Sequence, residues 1–529
     1  MRKSGPGSSP SMHCSPRFVP ALLPSGFRCA LLTLLAGGAG VAASPLFAQS
    51  AAPVAAASAA AASNPAGASS PVANLAPAAT SSPAGTMLPA AANAVPSTAV
   101  EAGARAHAML THLCDDAGGR LTGSPADRRA IEVLVRELRA LGLEPEREPF
   151  RMPGWERLED RVDVVAPFGR RLRVAALGYS QPHAPFAAEL IDLRNGGPAD
   201  YPDEDVSGKV GLISPGTPLQ TAEFVRIAAE RRVGALLFIN REGGGQLLAR
   251  TGSFVGAPLP LPVYSIAQEE GNWLRRLRER GTPVRLRVET RSRCLEVETA
   301  NLVLRFPGRS PERIVVGAHV DSWDLGQGAL DNGLGVAQLF ALADLLRGRD
   351  LGRTVEIVWL NGEEQGFWGS RHQAARLGDE PVVAMINLDM VGVPIAVNAL
   401  GDDTLVPFLE RWNDLRGAKR LPTGVQNINW FASDHTPYQL AGVRAITFNA
   451  PIPRDSVRYY HDLADTIDKL PEQIVVDSTG VIADLVLALA ADTSLGAWRR
   501  PPQETEQLFT RFGLERRMQA VGYWPFGPR

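Results

Sequence analysis

The chain has 529 residues, 45% of them hydrophobic, which is enough to bury a large core and to divide into more than one domain. Its 54 Lys and Arg nearly balance 56 Asp and Glu, for a formal net charge of -2. That balance excludes the extended positive field with which nucleic-acid-binding proteins neutralise phosphates, so a partner must be recognised locally.

In chain order, the first element is an export signal. Arg2, Lys3, Arg17 and Arg28 precede the apolar stretch "CALLTLLAGGAGVAASPLFA", with the best cleavage point after Ala48. Gly and Pro interrupt this stretch, so residues 1–48 are expected to be removed rather than to serve as a stable membrane anchor. A periplasmic or secreted protein follows. Residues 49–100 are mostly Ala, Pro and Ser, a composition with too little large apolar surface to offset the entropy of ordering, and are expected to form a linker. The mature chain beyond it holds Cys114 and Cys294, either as one disulfide or as two buried thiols.

From Ala102 to Leu143 the periodicity is helical. Ile131, Leu134, Val135 and Leu138 recur at three- and four-residue spacing, which predicts one amphipathic helix ending near Gly142. The segment 101–179 is expected to open the main domain. Residues 180–290 change texture to the short β-like runs "KVGLIS", "GALLFIN" and "LPVYSI" with one helix, "AEFVRIAAERRVG", and read as an insert. Residues 291–492 alternate strand and helix: "RIVVGAH", "GVAQLFALADLLRG", "TVEIVWL", "VVAMINLDMVG", "RAITFNA". Continuous Val/Ile runs between helices predict an α/β domain with a mostly parallel sheet covered on both faces. The tail, 493–529, is expected either to pack on the body or to join a dimer interface.

Ligands of such sheets collect at the carboxyl ends of the strands, so coordinating side chains are expected there. The first strand ends in His319 and Asp321, and the loop beyond it carries Asp331. The next ends in the adjacent pair Glu363 and Glu364, the next in Asp389, and His461 follows a later one. Taken singly, Asp331 could cap a helix, the Glu pair could be a solvated face, and His461 could be a core histidine. Taken together, imidazole and carboxylate at successive strand ends suit Zn²⁺, and a carboxylate can bridge two ions about 3.5–4 Å apart. The predicted set is His319 and Asp389 on one ion, Glu364 and His461 on the other, and Asp331 between them. Glu363, adjacent to a ligand yet free of the metal, is the candidate general base.

The motifs "HVDSWDLGQGALDNGLG", "NGEEQG", "INLDMVG", "SDHTPY" and "YYHDLADTIDKL" resemble those of the M28 family of co-catalytic zinc exopeptidases, over about residues 101–490. "DSWDLGQGALDNG" is most similar to the carboxypeptidase Q branch, whereas "INLDMVG" reads more like the aminopeptidase members. The insert resembles a protease-associated (PA) domain. The resemblance implies a phosphorylase/hydrolase-like fold, two Zn²⁺ per chain and the same five ligands and base. It further implies that Asp321 orients His319, that Tyr460 stabilises the oxyanion, and that Asp434 supports the site. Asp465 would either orient His461 or cap a helix. A short peptide is the implied substrate, and a homodimer is suggested by resemblance alone. The rival readings are an aminopeptidase releasing N-terminal residues, a binding protein without catalysis, and a glutaminyl cyclase on the same fold. The complete ligand set with Glu363 speaks against the binding protein, and the insert with two metals speaks against the cyclase.

Overall fold

In the computed structural model, which describes residues 97–414 and 421–527, the alternating runs assemble into an eight-stranded sheet. Its order is Glu146–Glu156, Arg293–Phe306, Leu351–Leu360, Gly308–His319, Val382–Asn387, Ala445–Asn449, Ala396–Asn398, Gly424–Gln426. The centre is parallel, with Gly308–His319 pairing both Leu351–Leu360 and Val382–Asn387, and the latter pairing Ala445–Asn449. Antiparallel pairs extend it towards both edges. The expected signal at 1–48, and the linker at 49–100 up to residue 96, lie outside the described residues.

The strand period of two decides what lies on each face. Ile314, Val316 and Ala318 join Ile357 and Trp359 in one core, while Val315 joins Val358, Leu360, Met385 and Tyr438 in another. Both faces are therefore buried, which is why the strands carry continuous rather than alternating apolar residues. The helix Leu334–Leu346 is buried along its whole length, packed between the helices Ser97–His112 and Glu472–Ala491. The shorter helices Trp368–Arg376 and His435–Leu440 pack together, the second against the strands Val382–Asn387 and Ala445–Asn449.

The N-terminal region forms two helices where periodicity predicts one. Ser97–His112 runs into a wide turn at Leu113–Ala117, and Pro125–Ala140 starts afresh, its Ser124 side chain accepting the Asp127 N–H. Gly118 (φ +69°) breaks the first helix, and Pro125 suits the first position of the second. The first helix also begins at Ser97, inside the stretch expected to be linker.

A second eight-stranded sheet has its own core, and its three consecutive strands Val210–Ile213, Ala235–Ile239 and Val263–Ile266 are the runs recognised in the sequence. It begins earlier than expected: Arg161–Ala166 pairs Arg285–Thr290, and Val174–Ala176 pairs Val263–Ile266. These strands before residue 180 pair with partners about a hundred residues away, which leave no local signal. The insert also holds a second helix, Gln268–Glu279. The tail packs on the body, where Phe509, Leu514, Met518 and Val521 meet Phe254, Phe367 and Phe431. Cys114 and Cys294 are free thiols, the first buried and the second half-buried.

Candidate metal centre

Every strand end named above contributes to one buried cluster. His319 is the last residue of its strand, Glu363 and Glu364 occupy the turn after Leu351–Leu360, and Asp389 lies just beyond Val382–Asn387. Asp331 sits in an irregular turn ahead of the Leu334–Leu346 helix, with a non-helical backbone (φ −117°, ψ 95°). His461 follows the Arg454–Val457 helix and holds φ +55°, a conformation unusual for a non-glycine residue and characteristic of functional sites.

His319 Nε2 lies 3.2 Å from Asp331 Oδ1 and 3.6 Å from Asp389 Oδ1. His461 Nε2 lies 2.9 Å from Asp331 Oδ2 and 3.0 Å from Glu364 Oε2. Two metal-competent groups result, His319–Asp331–Asp389 and Asp331–Glu364–His461, each with its ligand atoms within 4.8 Å of one another. Asp331 offers one oxygen to each. Glu363 belongs to a third grouping, with His319 and Glu364.

The donor set fits divalent cations. His319 Nε2, Asp331 Oδ2, Glu364 Oε1 and Asp389 Oδ1 are buried and make no hydrogen bond within the protein, as expected of atoms kept for a metal. Charge argues the same way, since two imidazoles face four buried carboxylates. Burial pushes Glu363 well above the usual carboxylate range, with Asp389, Glu364 and Asp434 adding repulsion against the opposing pull of His319. Burial also pushes Glu364 up to about 7. His461 is raised to about 10, because Glu364 and Asp331 outweigh the burial that disfavours its charge. For Asp331 burial acts upward, yet His319 and His461 hold it below the usual range. Such crowding of buried carboxylates is relieved by positive charge placed among them.

The supporting residues differ in part from expectation. His319 Nδ1 donates to the Asp321 carbonyl (3.0 Å), while the Asp321 carboxylate lies 3.6 Å from the same nitrogen. That carboxylate accepts the main-chain N–H groups of Glu363 and Glu364 (3.2 and 3.3 Å) and the Thr122 hydroxyl (3.0 Å), so Asp321 secures the glutamate turn as well as the histidine. Asp465 does not reach His461. It accepts the N–H groups of Leu330 and Asp331 (2.8 and 3.1 Å) and fixes the turn that presents Asp331. His461 Nδ1 donates instead to the Ala249 carbonyl of the insert (2.8 Å). Asp434 accepts the Ser370 hydroxyl (2.5 Å), and its neighbour Ser433 is the residue that touches the cluster, donating to Asp389 Oδ2 (2.6 Å). Tyr460 stacks on His461, with ring centroids 3.6 Å apart and an interplanar angle of 22°. His435, although part of the "SDHTPY" motif, packs on Trp430 and bonds its carbonyl, and burial lowers it to about 4.

Three supports escape sequence reasoning because they work through main-chain atoms. Arg120, fully buried, donates from Nε to the Val320 carbonyl (2.5 Å), from Nη1 to Gln327 (2.5 Å) and from Nη2 to Gly328 (2.9 Å), holding the loop between His319 and Asp331. Ala249 both accepts from His461 Nδ1 and donates its N–H to the His461 carbonyl (3.0 Å). Asp462 accepts the Leu247 N–H (2.7 Å), closing the same junction. Asp462→Ala is expected to loosen the insert's hold on the His461 ring and to weaken divalent-metal affinity by about tenfold, read by competition with a chelator. Unchanged affinity would show that Ala249 alone suffices.

An α/β sheet whose parallel strand ends carry a buried cluster of carboxylates and imidazoles is an architecture suited to holding divalent metal. Residues 301–489 match the model of peptidase family M28. Carboxypeptidase Q from Bos taurus is 30% identical over 285 residues, which cover 50% of this chain and 60% of that protein. Aminopeptidase YwaD from Bacillus subtilis (strain 168) is 25% identical over 389 residues, 70% of this chain and 80% of that protein. The structure of BSAP, a zinc aminopeptidase from Bacillus subtilis, superposes with a TM-score of 0.62 at 22% identity, over 75% of this chain and 98% of that one, and shares the fold.

Proposed function

We propose that the protein is an exported di-zinc exopeptidase acting on short peptides, with the carboxypeptidase Q-like reading preferred. The observation that carries it is the pair of three-residue groups sharing Asp331, with Glu363 beside them. His319 and Asp389 would hold one ion, Glu364 and His461 the other, and Asp331 both. Zinc there would polarise the scissile carbonyl and lower the pKa of a bound water toward ~7. Glu363 accepts the proton from the attacking water and returns it to the leaving amine. Tyr460, fixed by its stacking on His461, is the residue offered to the oxyanion. The insert, whose Leu247 and Ala249 bond the His461 loop, acts as a PA-like wall that shortens the cleft and favours small substrates.

Export rests on the composition of residues 1–48. The two described helices long and apolar enough to cross a membrane, Ala329–Leu346 and Glu472–Ala491, have 94% and 67% of their apolar windows buried inside the protein.

Unblocked, N-acetylated and C-amidated forms of one dipeptide test the reading, with and without a zinc chelator. Hydrolysis is expected to vanish on chelation and return with Zn²⁺. Ready cleavage of the N-acetyl form with only slow cleavage of the amide is the expected pattern. The reverse pattern would make this an aminopeptidase, the second reading, which the broad match to YwaD favours. Rapid internal cleavage of a long blocked peptide would defeat both.

A further inference from the structure

The junction between insert and metal centre contains a cation without a counter-charge. Beside Ala249, whose main chain bonds His461 twice, lies Arg250, only 5% exposed although it carries a full guanidinium. Its main chain is pinned, the carbonyl accepting the Gly178 N–H at 2.9 Å. Its guanidinium carbon sits 4.2 Å from the centroid of the Phe238 ring, so one face of the group is stacked and held flat. Nε and Nη2 are buried without a hydrogen-bond partner. These two nitrogens share one edge of the guanidinium, the edge that grips a carboxylate with two parallel N–H donors. Among the described residues no carboxylate forms an ion pair with Arg250. Burial lowers its pKa to about 10, with Tyr460, the ring stacked on His461, acting in the opposite direction, and it remains charged at neutral pH.

A buried, preoriented cation with its bidentate edge unused is an anion site in need of an anion. We infer that Arg250 binds the free α-carboxylate of the peptide substrate and so selects which terminus enters the site. The inference rests on the exopeptidase reading and deepens it: the insert supplies the charge that distinguishes a free C-terminus from a blocked one. Arg rather than Lys is required, because Lys presents a point charge and cannot offer two parallel donors.

The test uses the full-length, zinc-loaded protein as wild type, Arg250→Met and Arg250→Lys, with one dipeptide as the free acid and as the C-terminal amide. Zinc content and melting temperature are measured alongside. Arg250→Met is expected to raise KM for the free acid by about 30- to 100-fold, as for loss of a charged hydrogen-bonded pair, with kcat changed far less and the slow reaction of the amide unmoved. Arg250→Lys should recover only part of the loss. If zinc content is intact and both substrates suffer equally, or neither does, Arg250 is an internal cation packed on Phe238 and the inference is overturned. If Arg250→Met does not fold, full retention of acid-over-amide preference in Arg250→Lys overturns it as well. Wild type that cuts acid and amide equally would defeat the carboxylate reading itself, a result separate from failure of the variants alone.

Discussion

Asp331→Ala is expected to remove nearly all hydrolysis and to leave the protein with little bound metal, because one residue serves both three-residue groups. Lewis-acid stabilisation by a bound metal contributes several kcal/mol to the transition state, and each ~1.4 kcal/mol is tenfold in rate, so a fall in kcat/KM of about 10⁴ or more is expected. The comparison that makes the result specific is Asp389→Ala, which touches only the His319 group and should retain metal at the Glu364–His461 group. The surrounding loop is not free to move in and repair the loss. Asp465 holds the N–H groups of Leu330 and Asp331, and Arg120 holds the carbonyls of Gln327 and Gly328. Elemental analysis of purified variants and steady-state kinetics read both quantities. Equal metal content and activity in the two variants would refute the shared role of Asp331.

Glu363→Gln isolates the proton transfer from metal binding. The amide has the same shape and keeps the main-chain N–H that Asp321 accepts, so the turn should stay in place. It cannot take a proton from water. A fall in kcat of about 10²–10⁴ is expected, with zinc content unchanged and KM little affected. A metal-replete variant with near-normal kcat would mean that another group activates the water. Asp434 is the first to examine: burial pushes it up to about 7, and its Oδ2 has no hydrogen-bond partner.

Much of the central sheet and its cluster was legible because the signal is local. A Val/Ile run followed at once by His319, Glu363 and Glu364 or Asp389 reads as a strand with its chemistry at the carboxyl end, and the structure brings all of these together with Asp331 and His461. Relations between distant segments were not legible. The strands Arg161–Ala166 and Val174–Ala176 belong to the second sheet through partners near 287 and 264, and neither run announces its partner. Asp465 lies four residues past His461, a spacing that suggests a partner for the ring, but its carboxylate turns to the Asp331 loop. The ring instead bonds a main-chain carbonyl, that of Ala249. A carbonyl has no residue identity, so no motif can reveal it.

The same point applies to Arg120, and it concerns modularity. The stretch that matches the model of peptidase family M28 begins at residue 301, yet the guanidinium that pins the carbonyls of Val320, Gln327 and Gly328 belongs to Arg120, 200 residues upstream of Val320. The stretch matched by similarity and the unit that holds its own loops in place therefore have different borders. Anyone grafting residues 301–489 into a relative must transplant the helical arm from Ser97 to Ala140 along with them, or supply another cation in the place Arg120 fills.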